Sequence, residues 1–341
     1  MTPQFVARPR AARLAEEAAL SPAAARSATA YGRDVAEPDD AYRTPFERDR
    51  DRILHSKAFR RLKHKTQVFL NPEGDHFVTR LTHALQVTQV ARSLARALAL
   101  NEALAEAIAL GHDCGHTPFG HTGEEALSPY VAGGWHHAAQ GVRIYEVLEP
   151  ANLTWEARDG IRAHTWSVEP PPATAEGWCV RYADRIAYLT HDALDALRAE
   201  VIDEGDLPAA AVSTLGRPGT EWIDTMIRAV IEHTLAADEL GMQPSVARVM
   251  HELREFMFER VYRAGENRRR HQAAVTVIRQ LMDHHLAHPD QLPPRFRDGG
   301  DVATRCADYV AGMTDRFALA CHDRLFRPVL VEPPYVPGDP A

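Results

Sequence analysis

HDCGHTPFGHTGE, residues 112–124, sets three imidazoles (His112, His116, His121) and two carboxylates (Asp113, Glu124) into one short segment. Gly115, Pro118, Gly120 and Gly123 keep it from running as an ordinary helix, so its side chains can converge on one point. Imidazole with carboxylate is the ligand set of borderline and hard divalent metals. A single histidine is usually a surface residue or a hydrogen-bonded core residue, but five ionisable groups packed this closely call for a site.

Upstream, Leu81, Leu85, Thr88, Ala91, Leu94, Ala95 and Leu98 follow helical spacing from Thr79 onward, and Arg80 and His83 lie three apart on a neighbouring face. A second helix, Glu102 to about Gly111, delivers His112 and Asp113 at its C-terminal end. Downstream, Trp135 opens a helix through Val142, Tyr145 and Leu148, and Ala157 to His164 reads as another. Glu169-Pro170-Pro171-Pro172 interrupts the chain. From Trp178 to Val201 the helix returns, with Arg181, Asp184, Tyr188, Asp192 and Asp195 as a polar stripe that faces either water or a polar cavity.

The flanks are simpler. Residues 8 to about 30 read as a helix and a connector, and Tyr31 to Pro45 as a loop. Thr44-Pro45-Phe46-Glu47 starts a helix that continues through Ile53, Phe59 and Leu62. Gln67 to Leu70 is short and extended, closed by a turn at Asn71 to Asp75. Leu207 to Gly219 reads as a loop, followed by helices over Glu221–Ala237, Val246–Ala264, Arg270–Leu286 and Val302 to about Arg324, with Asp298 to Asp301 as a turn. The tail after Arg327 is proline-rich. No strand pattern is long enough for a sheet, so the expected fold is all-α.

The chain has 341 residues, 45% of them apolar, enough for a substantial core. No apolar run approaches the roughly 18 to 20 residues that span a bilayer, and the N-terminus has no signal-like segment, which places the protein in the cytoplasm with no membrane partner. Cys114, Cys179, Cys306 and Cys321 are scattered without a CxxC pair, against both a zinc ribbon and a disulfide framework; Cys114 reads as a packing residue. The net charge of −8 gives no general pull toward nucleic acid. The block RDRDRILHSKAFRRLKHK, residues 48–65, is basic and reads either as a solvated helix face or as a holder of phosphates.

Taken as one site, His83, His112, Asp113 and Asp184 supply two imidazoles and two carboxylates from three helices. That set suits Mn²⁺, Mg²⁺, Fe²⁺ or Co²⁺ rather than a sealed thiolate zinc. H…HD…D in an all-helical chain resembles the HD-domain phosphohydrolase superfamily. RRLKHKTQVF, RLTHALQV, HDCGHTPFGHTGEEAL and YADRIAYLTHD together resemble the deoxyguanosine triphosphate triphosphohydrolase (dGTPase) family over most of residues 45–200, and LREFMFERVY at 253–262 extends the likeness.

The resemblance implies an HD-domain helical fold: an N-terminal extension (1–45, partly mobile), a catalytic core (46–200), a C-terminal helical part packed on it (201–327) and a tail (328–341). It implies metal-dependent cleavage of a dNTP, dGTP or others, at the α-phosphate, releasing deoxynucleoside and tripolyphosphate. It assigns the metal, Mn²⁺ or Mg²⁺ foremost, to His83, His112, Asp113 and Asp184. His121 and Glu124 become the catalytic pair, with His116 beside them; Arg80, Arg185 and His137 contact phosphates, and Gln67, Tyr188 and Asp192 surround the deoxyribose. Homo-oligomers and a regulatory dNTP also follow from it. The alternatives are an HD phosphohydrolase of another nucleotide, against which the FGHTGE extension argues, and a nucleotide sensor or single-strand nucleic-acid binder, for which the net charge gives no support.

Overall fold

The computed structural model describes residues 5–68, 77–262, 265–298 and 300–327, with the side chains of 265–268 left aside. Among these the regular structure is helical, apart from one isolated bridge between Thr66 and Thr79. The chain runs through α1 (Arg10–Glu16), α2 (Pro45–His55), α3 (Lys57–Arg61), α4 (Arg80–Ala97), α5 (Glu102–Gly111), α6 (His121–Leu127), α7 (His137–Arg143) and α8 (Trp155–Ala163). It continues through α9 (Ala175–Arg198), α10 (Ala209–Leu215), α11 (Thr220–Ala237), α12 (Pro244–Met257), α13 (Gly265–Ala287), α14 (Val302–Ala311) and α15 (Asp315–Phe326).

Helix starts are set by local hydrogen bonds. Thr44 and Glu47 form a reciprocal capping box with Pro45 at the first position of α2, and Thr79 accepts from Thr82 N at the start of α4. Where the sequence predicts one helix through Ile53, Phe59 and Leu62, the chain breaks at Ser56, whose hydroxyl caps a new helix by accepting from Phe59 N. The last expected helix also divides: α14 ends before Gly312, and Thr314 caps α15. The expected loop at 207–219 holds α10, which buries Ala211 and Leu215. The α12 helix ends earlier than Ala264 and gives way to a π-turn over Phe258–Tyr262. The expected turns over 71–75 and at Gly299, the segment Phe69-Leu70 and the proline-rich tail lie outside the described residues.

Packing explains why α4, α5 and α9 carry the polar groups. These helices lie against one another, and α2 packs on α5. Leu94, Leu104, Ile108, Ile186 and Leu189 are buried in one apolar cluster that extends to α10, α11 and α12. A second cluster joins α6, α13, α14 and α15 through Leu127, Ile278, Leu281, Val310 and Ala318. The 112–120 loop spans the seam, with Cys114 in the first cluster and Phe119 in the second. A cavity of about 390 Å³ at that seam is lined by Lys65, Cys114, Phe296, Tyr309 and Met313 among others.

The segment before α2 is tied to the core: Glu17 accepts from Asn101 Nδ2, Glu176 from Ala25 N and Glu156 from Tyr31 N. The basic block spends much of its charge internally, since Arg48 and Arg52 pair with Glu37, Arg50 with Asp51 and Arg61 with Glu149. Lys65 is buried. No described helix is long and apolar enough to cross a membrane.

Candidate active site

Four of the expected residues meet where α4, α5 and α9 converge. His83 sits in the first turn of α4 and His112 at the end of α5, while Asp184 comes from the middle of α9. His83 Nε2 lies 3.1 Å from Asp184 Oδ1, and His112 Nε2 is 3.8 Å from the same oxygen. Asp113 fits between them, its Oδ1 3.4 Å from His112 Nε2 and its Oδ2 3.9 Å from His83 Nε2. Nearest-ligand atoms of His83, His112 and Asp184 all fall within 4.8 Å of one another.

The tautomer of His112 is fixed by its surroundings. Its Nδ1 is 2.7 Å from Ala109 O, a group that only accepts, so Nδ1 carries the hydrogen when the ring is neutral. Nε2 is then bare, fully buried, and without a hydrogen-bond partner. A buried lone pair left unpaired is costly. Next to two carboxylates the economical partner is a cation, so this donor set fits a divalent metal.

Electrostatics agree. Burial pushes Asp184 toward the neutral acid, but the hydrogen bond with His83 and the adjacent imidazoles outweigh it and hold the group well below its usual value. Asp113 is likewise held ionised against its burial, by His112, His116 and Arg80. Arg80 is buried and donates to Asp113 Oδ2 at 2.8 Å, so it serves the carboxylate directly.

The second half of the motif turns back on the first. Phe119 and Gly120 both have positive φ, 63° and 58°, a reversal that starts α6 at His121. Gly115 allows the return, because a Cβ there would collide with the His137 carbonyl and the Gly141 amide. His121 and Glu124, three apart in the first turn of α6, lie on one face with His121 Nδ1 3.5 Å from Glu124 Oε1. That oxygen is also 2.7 Å from His116 Nδ1 and 2.9 Å from His137 Nδ1. His116 and His137 stack at 3.8 Å. Burial, Arg80 and His137 bring His116 down to about 4, so it is neutral near pH 7. His121 is the open member, its side chain 78% exposed.

Further along α9, the polar stripe faces inward. Asp192 is buried and accepts from Tyr262 OH at 2.7 Å; burial raises it to about 7, although the Tyr262 bond opposes the rise. Asp195 accepts from Val78 N and so ties α9 to the start of α4. The Arg185 guanidinium lies 4.2 Å above the Trp166 ring. Gln67 Oε1 is buried without a partner. Arg181, by contrast, turns away to the carbonyls of Thr165 and Val168.

Three participants escape sequence reasoning. His164, at the end of α8, places Nε2 3.1 Å from His137 Nε2 and is held at about 3 by burial, His112 and His137. Lys65 donates to His116 O and, at 3.0 Å, to Ala311 O. Asp315 accepts from Thr66 N at 2.8 Å and Phe119 N at 2.9 Å, which fastens the 112–120 loop to α15. His164 sits three residues after Ile161 at a helix end, as His112 follows Ala109. That repeated placement is the one signal that could have marked it.

The HD domain family matches residues 80–189, and the phosphohydrolase-associated domain matches residues 240–324. A deoxyguanosinetriphosphate triphosphohydrolase-like protein of Caldanaerobacter subterraneus subsp. tengcongensis is 47% identical over 316 residues, covering 91% of this chain and 93% of its own. Proteins of the same description from Desulfatibacillum aliphaticivorans and Clostridium tetani are 41% and 37% identical, each with 95% of its length covered by 91% and 93% of this chain. Among solved structures, a hypothetical protein from Aquifex aeolicus aligns with a TM-score of 0.48 and 20% identity over 82% of this chain and 68% of its own. With a divalent-metal donor set inside the matched HD segment, this chain belongs to the deoxyguanosinetriphosphate triphosphohydrolase-like family of HD-domain, metal-dependent phosphohydrolases.

Proposed function

We propose that the protein hydrolyses a deoxynucleoside triphosphate, dGTP among them, at the α-phosphorus. The observation that carries this reading is the placement of the metal-ready donors His83, His112 and Asp184 beside the His121–Glu124 pair, with Tyr188 and Asp192 further along the helix that bears Asp184. One length of α9 thus serves phosphate at one end and sugar at the other.

His83, His112, Asp113 and Asp184 would hold a divalent cation, Mn²⁺ or Mg²⁺ foremost, which when bound would neutralise phosphate charge and lower the pKa of a bound water. Arg80 keeps Asp113 ionised and oriented. Arg185, presented by Trp166, meets the outer phosphates, with His116 and His137 lining the same end. A water oxygen bonds to the α-phosphorus, giving up a proton to the surrounding solvent, and the bond from that phosphorus to the 5′-oxygen breaks. His121 gives its proton to the departing oxygen, with Glu124 orienting the ring. Deoxynucleoside and tripolyphosphate leave.

At the sugar end, Asp192 accepts from the 3′-hydroxyl with its second oxygen while Tyr262 holds the first. Tyr188 fills the space a 2′-hydroxyl would need, and Gln67 offers its unpaired Oε1. Incubating the Mn²⁺-loaded protein with each dNTP and its ribonucleotide tests the reading. Tripolyphosphate and deoxynucleoside from dNTPs, with little turnover of the ribonucleotides, is the expected result. Orthophosphate or pyrophosphate release would point to a different phosphohydrolase reaction. Homo-oligomer formation and activation by a second dNTP are read in the same preparation, by light scattering and by the shape of the dNTP saturation curve.

A further inference from the structure

The cavity at the seam between the two apolar clusters has no part in the reaction described above. Its volume of about 390 Å³ falls in the range of small-molecule sites. One wall comes from the segment matched as the HD domain, through Cys114, Ile144 and Leu148. The other comes from the phosphohydrolase-associated segment, through Phe296, Tyr309 and Met313.

The polar groups of this cavity are unevenly spent. Glu149 accepts from the amides of Lys57 and Ala58 and pairs with Arg61, while buried Asp308 accepts from Gln140 and Arg143. Arg61 keeps its Nε buried without a hydrogen-bond partner. Arg295 pairs with no carboxylate among the described residues, and its guanidinium lies 4.8 Å above the Phe296 ring. That ring is tilted against Tyr309, with centroids 5.4 Å apart. A free guanidinium over an aromatic wall suits a carboxylate carried on a flat apolar body. A triphosphate does not suit the same place, because it would bring several negative charges beside Glu149 and Asp308 with one unpaired guanidinium to meet them.

Two lining residues also tie the cavity to the active site. Lys65 donates to His116 O and, at 3.0 Å, to Ala311 O. Asp308 holds Gln140 and Arg143 on α7, the helix that begins at His137. An occupant packed against Cys114, Lys65 and Asp308 therefore bears on the 112–120 loop and on α7.

We propose that this cavity binds a small monocarboxylate with an aromatic or alicyclic body, with Arg295 as its charged contact, and that the bound ligand speeds the reaction by bracing the 112–120 loop and α7. The ligand site stands on the cavity alone, whereas the effect on rate rests on the reading of the protein as a dNTP hydrolase.

The test titrates 2-naphthoate and its neutral twin 2-naphthamide into the Mn²⁺-loaded full chain by calorimetry. One naphthoate per chain, bound about 10-fold or more tighter than the amide, is the expected result, with the preference lost in Arg295→Gln. A crystal soaked with 2-naphthoate should place its ring beside Phe296 and Tyr309. Equal binding of the two probes, binding of neither, a preference that survives in Arg295→Gln, or naphthoate seated at His83 and Asp184 instead overturns the ligand site. In a rate assay, saturating 2-naphthoate should raise dNTP turnover about fivefold in the wild type and leave Arg295→Gln unresponsive. Binding without a change in rate overturns the effector role. If no dNTP is turned over with or without the probe, the hydrolase reading fails and the rate effect falls with it, while calorimetry still decides the ligand site.

Discussion

His83 Nε2 and Asp184 Oδ1 lie 3.1 Å apart across 101 residues of chain, and this contact joins α4 to α9 at the point where His112 presents its unpaired nitrogen. In the proposed site, removing either partner takes a donor from the metal and leaves the other without this contact. His83→Ala and Asp184→Ala should each reduce turnover by about 100-fold or more and weaken Mn²⁺ binding in parallel. Titration of the metal-free protein with Mn²⁺, read by both affinity and rate, checks this. Normal Mn²⁺ affinity in both variants would remove these residues from the metal site.

His121 is open where its neighbours are buried, which suits a group that exchanges a proton with substrate rather than holding an ion. His121→Ala should lower kcat by about 10²–10⁴-fold while metal content stays at the wild-type level. Glu124→Gln should lower kcat by less, because the imidazole itself stays in place and loses only its orienting carboxylate. Metal analysis alongside kcat separates this pair from the ligands: a loss of metal in His121→Ala would contradict the assignment.

The tight return of the loop depends on Gly115, where a side chain would strike the His137 carbonyl and the Gly141 amide. Both obstacles are backbone and cannot swing aside. Gly115→Ala should cost about 1–3 kcal/mol of stability and displace α7 from the site. Thermal unfolding measures the first effect and kcat the second.

Lys65 offers a pH test. Burial brings its ammonium down to about 7, so between pH 7 and the ordinary lysine value the unfolded chain carries a proton that the folded chain has lost. Stability from this group therefore rises with pH across that window. In Lys65→Met the slope of unfolding free energy against pH, measured in urea, should be flatter than in the wild type over the same range. Equal slopes would contradict the buried, neutralising lysine.

The proposed metal residues stand out in the sequence because their types are scarce and their spacing follows helical geometry: Arg80 and His83 share a turn, and Asp184, Tyr188 and Asp192 share a face. The choice between water and cavity for that face was open, because a polar stripe looks the same either way. Burial of Asp192 and its bond from Tyr262 decide it. His164 and Lys65 were missed for a different reason. One is a single histidine at a helix end and the other a single lysine in a basic block, and only the tertiary structure brings them to His137 and His116. The breaks at Ser56 and Thr314 were hidden because a lone hydroxyl between two apolar-periodic stretches signals a cap no more strongly than a surface residue.

The central claim is attack of water on the α-phosphorus of a dNTP, and hydrolysis of dGTP by the Mn²⁺-loaded protein in ¹⁸O-labelled water tests it most directly. Mass spectrometry of the products should find one ¹⁸O in tripolyphosphate and none in deoxyguanosine. Label in orthophosphate, in pyrophosphate or in the 5′-hydroxyl of deoxyguanosine would contradict it.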